Sequence, residues 1–182
     1  MNLFKSRYGK ILLILLVFVF AFLYIKGQLN KSAKISIPKT GASYKTLTPG
    51  ISSKSDAIKE FGAPINGEGS SALLFGSDNP NFPHQVALQE DKVEFIKQII
   101  TAKDKENANE IKALYGDPPY ILYGEYSASG FNLYVYPDKG IAYIGHPKEG
   151  ILLEIWYFTP TTIEDFRSKW AKNYYDSPPL RQ

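Results

Sequence analysis

Between residues 71 and 158, apolar and polar residues alternate over seven short runs, a pattern typical of β-strands. The connections between most of these runs are short and contain Gly, Pro, Asn or Asp. Strands joined in this way must be antiparallel neighbours. The predicted strands cover 71–76, 84–89, 92–100, 120–126, 131–136, 141–145 and 151–158.

Three short helices are predicted from cap residues and apolar stripes. Ser53 is a good N-cap with Asp56 at the third helical position, and a second helix begins near Asn107. The third helix is predicted over 162–172. The expected fold class is α+β: a helix followed by an antiparallel meander, repeated in tandem and closed by a C-terminal helix, with the helices covering one face of the sheet.

The first two predicted helices end in similar segments, each followed by a meander. These segments are Phe61-Gly62-Ala63-Pro64 and Tyr115-Gly116-Asp117-Pro118. A helix that ends in aromatic-Gly-x-Pro before a three- or four-stranded meander resembles the BamE/SmpA-type envelope lipoproteins, and the tandem form resembles the β-lactamase-inhibitor-protein fold. The resemblance covers 52–158 and implies a protein-binding module of the cell envelope. Such lipoproteins are held by an acylated cysteine, whereas this chain contains no cysteine.

An apolar run lies between Lys10 and Lys26. It consists of Ile11, Leu12, Leu13, Ile14, Leu15, Leu16, Val17, Phe18, Val19, Phe20, Ala21, Phe22, Leu23, Tyr24 and Ile25. As a helix it is roughly 22 Å long, and flanking lysines and tyrosines can extend it across the ~30 Å hydrocarbon core. A cleaved signal peptide has a similar pattern, but no small residues occupy suitable cleavage positions. We therefore predict an uncleaved signal anchor in the lipid bilayer.

The charges are divided between two parts of the chain. Residues 1–45 contain eight basic residues and no acidic one, whereas 46–182 contain 13 basic and 18 acidic residues. The acidic part would repel nucleic-acid phosphates, so nucleic acid is not a predicted partner. We predict a tail and anchor over 1–29, a basic stalk over 30–48, the α+β domain over 49–172 (repeats 49–103 and 104–172) and a flexible tail over 173–182. The N-terminus is expected in the cytoplasm and the domain outside the plasma membrane.

No set of residues in the sequence points to catalysis, a metal or a cofactor. The lack of cysteine excludes disulfides, thiolate nucleophiles and zinc–thiolate sites. His84 and His146 each stand beside a proline, a place typical of surface or hydrogen-bonding histidines. Glu125 and Glu154 could approach one another on adjoining strands as a hydrolytic carboxylate pair.

Alternation within the last strands predicts an aromatic outer face of the sheet, opposite the aliphatic residues of the core. The predicted binding residues on this face are Asn132, Tyr134, Tyr136, Glu154 and Trp156. Tyr and Trp can anchor a protein partner or stack on a sugar ring, unless the C-terminal helix covers them. We predict a single-pass, non-catalytic envelope protein whose domain binds a protein partner or assists assembly. Binding of wall polysaccharide and an unrecognised hydrolase activity remain alternatives.

Overall fold

A computed structural model describes residues 40–66 and 69–178 of the chain. This part contains three α-helices and a seven-stranded antiparallel sheet, which confirms the α+β class. The helices are α1 (Lys54–Phe61), α2 (Ala108–Tyr115) and α3 (Ile163–Lys169). The strands are β1 (Ala72–Phe75), β2 (His84–Gln89), β3 (Lys92–Ile99), β4 (Tyr120–Leu122), β5 (Asn132–Tyr136), β6 (Ile141–Gly145) and β7 (Leu152–Phe158).

The strand order is β1-β2-β3-β7-β6-β5-β4, and each neighbouring pair is antiparallel. The helix α1 precedes the first three strands and α2 precedes the last four. The last strands of these two groups, β3 and β7, pair with one another, with Phe95 opposite Phe158 and Ile99 opposite Glu154. The two meanders therefore form one continuous sheet.

Two of the three helices begin at the cap residues that the sequence predicts, Ser53 and Asn107. The Ser53 hydroxyl accepts a hydrogen bond from the Asp56 N–H, and the Asp56 carboxylate accepts one from the Ser53 N–H at 2.8 Å. The Ser53 hydroxyl also donates to the Asp56 carboxylate, at 2.7 Å. The bond from the Ser53 N–H is the first cause that lowers the pKa of Asp56, and the bond from the hydroxyl is the second. Asn107 caps α2, and Thr162 caps α3. The third helix ends at Lys169 and is shorter than predicted.

The helices cover both faces of the sheet, so the prediction that they cover one face is wrong. On the first face, called the α1/α2 face, Ala57 of α1 and Ile111 of α2 belong to buried clusters. On the opposite face, called the α3 face, Phe166 of α3 packs among Phe158 and Trp156. Both faces of the sheet therefore need apolar residues.

The strand predicted over 120–126 is also shorter in the structure. The ladder of β4 ends at Leu122, and a 3₁₀ turn follows over Glu125–Ser129. The Ser127 hydroxyl accepts the Gly124 N–H at 2.9 Å, a local bond that competes with strand pairing.

The folded part extends beyond both ends of the predicted domain. Ala42, Tyr44 and Leu47 lie in the predicted stalk, yet their side chains are buried against the α1/α2 face. At the other end, Tyr174 packs on the α3 face, and Tyr175 exchanges two backbone hydrogen bonds with Tyr123. The stalk boundary at 48 and the flexible tail from 173 are therefore corrected to include these packed residues.

Among residues 40–66 and 69–178, no helix is long and apolar enough to span a bilayer. The predicted anchor over 11–25 lies outside the described residues and stays a prediction.

Candidate functional site

The five predicted binding residues do not share one face. Asn132, Tyr134 and Tyr136 project toward the α1/α2 face, whereas Glu154 and Trp156 belong to the α3 face. The reason is the strand between them: β6 pairs with both β5 and β7, and its register places Glu154 in line with Ile144 and Leu133 rather than with the tyrosines. The predicted common outer face is therefore wrong.

The tyrosines on the α1/α2 face are packed inside the domain. The Tyr136 hydroxyl donates to the Gly116 carbonyl oxygen at 2.8 Å, which ties β5 to the end of α2. The Tyr134 ring stacks on the Tyr143 ring at 4.9 Å. Burial is the main cause that raises the pKa of Tyr136 to about 12. These phenols therefore stay protonated, and they fasten α2 to the sheet.

On the α3 face, two neighbours hold the Glu154 carboxylate. The Trp156 indole Nε1–H donates to Glu154 Oε2 at 2.6 Å, and Lys97 Nζ lies 3.7 Å from the same oxygen. Lys97 Nζ also lies 5.2 Å from the Trp156 ring centroid, within the range of a cation–π contact. The Glu154 side chain is only 12% exposed. Its orientation is thus fixed before any ligand arrives.

Beside this carboxylate is a small depression, which we call the Glu154 hollow. It encloses about 180 Å³ and is lined by Asn79, Phe82, Ile99, Ile100, Tyr126, Leu153 and Glu154. Small-molecule sites usually enclose roughly 300–1,000 Å³. The hollow is therefore smaller than a usual small-molecule site, and most of its wall is apolar.

Phe82 stands at the edge of the hollow on the loop between β1 and β2. Its side chain is 51% exposed, although hydrogen bonds hold its backbone. The Phe82 N–H donates to the Asn79 carbonyl oxygen at 3.0 Å, and the Ser77 hydroxyl donates to the Phe82 carbonyl oxygen at 2.7 Å. In the sequence, Phe82 follows Asp78-Asn79-Pro80-Asn81 in the connection between two predicted strands, and a single aromatic residue after such a turn does not indicate a function.

Glu125 and Glu154, the glutamates considered as a hydrolytic pair, both affect the pKa of the same two tyrosines. Burial is the first cause that raises the pKa of Tyr126 and of Tyr174, and the charges of Glu125 and Glu154 raise both further. Each phenol therefore remains a hydrogen-bond donor near neutral pH. A hydrolytic role for the glutamates stays a prediction.

Neither histidine lines the hollow, although His84 bonds to the backbone of a residue that does. His84 Nδ1 accepts the Ile99 N–H at 3.0 Å, and burial is the main cause that lowers the pKa of His84. The His146 ring packs against Phe131 at 5.4 Å, and its Nδ1 lies 3.9 Å from a Glu149 carboxylate oxygen. Within the described ranges, no three His, Asp or Glu side chains come together as metal ligands.

Comparison with known proteins gives one similar solved structure. No protein-family model matches the sequence, and no curated protein matches it. The chain is similar to a DUF4309 family protein (YjgB) from Bacillus subtilis, with 13% identity over 68% of this chain and 89% of that chain and a TM-score of 0.46. A similarity at this level carries no argument about function.

The comparisons correct the resemblance to BamE/SmpA-type lipoproteins and to the β-lactamase-inhibitor-protein fold, since the solved structure found belongs to another family. The two aromatic-Gly-x-Pro segments have a local explanation. Gly62 and Gly116 adopt φ of 89° and 83°, a region that favours glycine where a helix ends. The following prolines prevent the helices from continuing. Such segments mark helix ends in many folds.

Proposed function

We propose that this chain is a single-pass, membrane-anchored, non-catalytic envelope protein whose α+β domain binds a protein partner at the Glu154 hollow. The observation that carries the proposal is the half-exposed Phe82 on a hydrogen-bonded loop, next to an apolar hollow with a fixed carboxylate. Phe82 can anchor the partner, the hollow can accept one of its side chains, and the carboxylate can select that side chain by hydrogen bonding.

Each part of the site lowers the cost of binding or adds selectivity. Covering a water-exposed aromatic side chain with a partner removes apolar surface from water, which makes the free energy of binding more favourable. Because the Phe82 loop is already ordered, little conformational entropy is lost on docking. The Glu154 carboxylate accepts hydrogen bonds, so it favours a partner side chain that combines an apolar stem with a donating end.

The proposed location rests on the run over 11–25 and on the division of charge. Basic residues flank the run on both sides, whereas the part that folds is acidic. A signal anchor would hold the domain outside the plasma membrane with the N-terminus in the cytoplasm. The residues between the run and the described domain, 26–39, would link the two.

Membrane anchoring is tested by alkaline carbonate extraction of native membranes. Full-length protein is expected in the pellet, and the double variant Leu15→Asp, Val17→Asp in the supernatant, because each aspartate costs about 2.5–3.5 kcal/mol at the centre of a span. Lys5→Asp is the control and is expected to stay in the pellet. Extraction of the wild-type protein would contradict the anchor.

Docking is tested by placing a photoreactive amino acid at position 82 of the full-length protein in native membranes. The matched control carries it at position 175, where Tyr175 is 67% exposed and does not line the hollow. We expect one discrete protein adduct from position 82 and none of the same size from position 175. Equal adducts from both positions, or none from position 82, would refute the proposed docking site.

A further inference from the structure

A second depression, which we call the Trp170 groove, lies at the start of β3, whereas the Glu154 hollow lies at the end of this strand. Four segments line it: the turn at Gly50, the β2–β3 hairpin with Glu90 and Glu94, the residues after β7 with Thr159, and the end of α3 with Lys169 and Trp170. It encloses about 390 Å³, within the range of sites that accept small ligands. The two depressions share no lining residue.

The Trp170 ring gives this groove a rigid aromatic wall. It stacks on the buried Phe95 ring, with 4.3 Å between centroids and 17° between planes. In the part of the chain that the structure describes, no group accepts a hydrogen bond from the Trp170 indole N–H. The half-buried indole therefore brings an apolar surface and a free donor to one place.

The charges of the groove cancel. Its lining contains two carboxylates, Glu90 and Glu94, and two ammonium groups, Lys92 and Lys169. Lys169 Nζ lies 2.7 Å from Glu94 Oε1, so one of each sign is already paired. Because these charges cancel, the lining itself favours neither an anion nor a cation. It suits a neutral ligand.

Three further lining residues have side chains that donate and accept hydrogen bonds without adding charge. Gln89 offers an amide, and Thr159 and Thr161 offer hydroxyls. A pyranose needs this combination, because its hydroxyls both donate and accept while its C–H face is apolar and packs on an aromatic ring. We propose that the Trp170 groove binds a neutral saccharide segment. This site is separate from the proposed protein docking site and from the tyrosine face that the sequence indicates for sugars.

The test is an NMR titration of the full-length protein in phospholipid nanodiscs, following the indole N–H signals. The probes are two neutral trisaccharides, N,N′,N″-triacetylchitotriose and maltotriose, and two charged ones, chitotriose and trigalacturonate. We expect a saturable shift of the Trp170 signal with at least one neutral probe, and affinity for the charged probes lower by about tenfold, or 1.4 kcal/mol.

Two variants connect binding to the groove. Trp170→Leu has no indole at this position, so binding to both variants is followed by the backbone N–H signal of Glu94, which lines the groove. Trp170→Leu should lower the affinity by about tenfold or more, and Thr159→Val, which keeps the side-chain shape, by about threefold. Tyr175→Ala is the control and should bind like the wild type. The proposal is overturned if neither neutral probe shifts the signal, if the charged probes bind as tightly, or if both groove variants bind unchanged with well-dispersed spectra. None of these results affects the proposed docking at the Glu154 hollow.

Discussion

Replacing Phe166 with alanine tests whether α3 packs on the sheet as the structure has it. The Phe166 side chain is 0% exposed, and its ring centroid lies 4.7 Å from that of Phe158 and 6.1 Å from that of Trp156. A phenylalanine that buries about 150 Å² at about 25 cal/mol/Å² contributes about 4 kcal/mol. Since alanine keeps the β-carbon but leaves a cavity, we expect a loss of about 3–4 kcal/mol in the free energy of unfolding.

The assay is equilibrium urea unfolding of wild-type and variant domains, followed by tryptophan fluorescence and circular dichroism. Phe82→Ala is the matched control, because the same residue type is 51% exposed there and its loss should change the free energy by less than about 1 kcal/mol. A loss below about 1 kcal/mol for Phe166→Ala, equal to that of the control, would refute the packing of α3 on this face.

The remaining predictions concern a buried histidine, a helix cap and a turn, and the free energy of unfolding in urea tests each of them. Burial lowers the pKa of His84 in the folded state below its ordinary value of 6.5, so the unfolded chain binds more protons as the pH falls below 6.5. Stability should therefore decrease from pH 7.5 to 5.5, and His84→Gln should flatten this decrease; an unchanged profile would contradict it. Ser53→Ala removes the N-cap bond to Asp56 and should cost about 1 kcal/mol, whereas an equal cost for Ser55→Ala would argue against capping. Asp91→Gly should stabilise the domain by about 0.5 kcal/mol, since Asp91 has φ of 60° in the β2–β3 turn, and a loss of stability would count against that geometry.

The elements of this fold could be predicted from the sequence because their signals are local. Alternation and turn residues locate the seven strands, and the caps Ser53 and Asn107 locate two helices within a residue. Which residues share a face depends on β6, a strand that separates β5 from β7. Since helices pack on both faces, both sets of alternating residues are apolar or aromatic, and alternation cannot tell which set of β5 lies beside which set of β7.

The candidate site could be predicted only in part for the same reason. Glu154 and Trp156 are two residues apart on one strand, so the sequence does place them together, and the structure adds their hydrogen bond. Lys97 comes beside Trp156 through the pairing of β3 with β7, and Phe82 reaches the hollow from the loop between β1 and β2. Such long-range neighbours have no pattern in a single sequence.

The most direct test of the account is the yield of the position-82 photoadduct when the hollow loses its charge. In full-length protein on native membranes, Glu154→Gln should lower that yield severalfold, because the amide keeps the size of the side chain but removes the negative charge from the wall. Glu164→Gln, on the exposed side of α3, is the control and should leave the yield unchanged. An undiminished adduct with Glu154→Gln would contradict the claim that a partner docks at the Glu154 hollow.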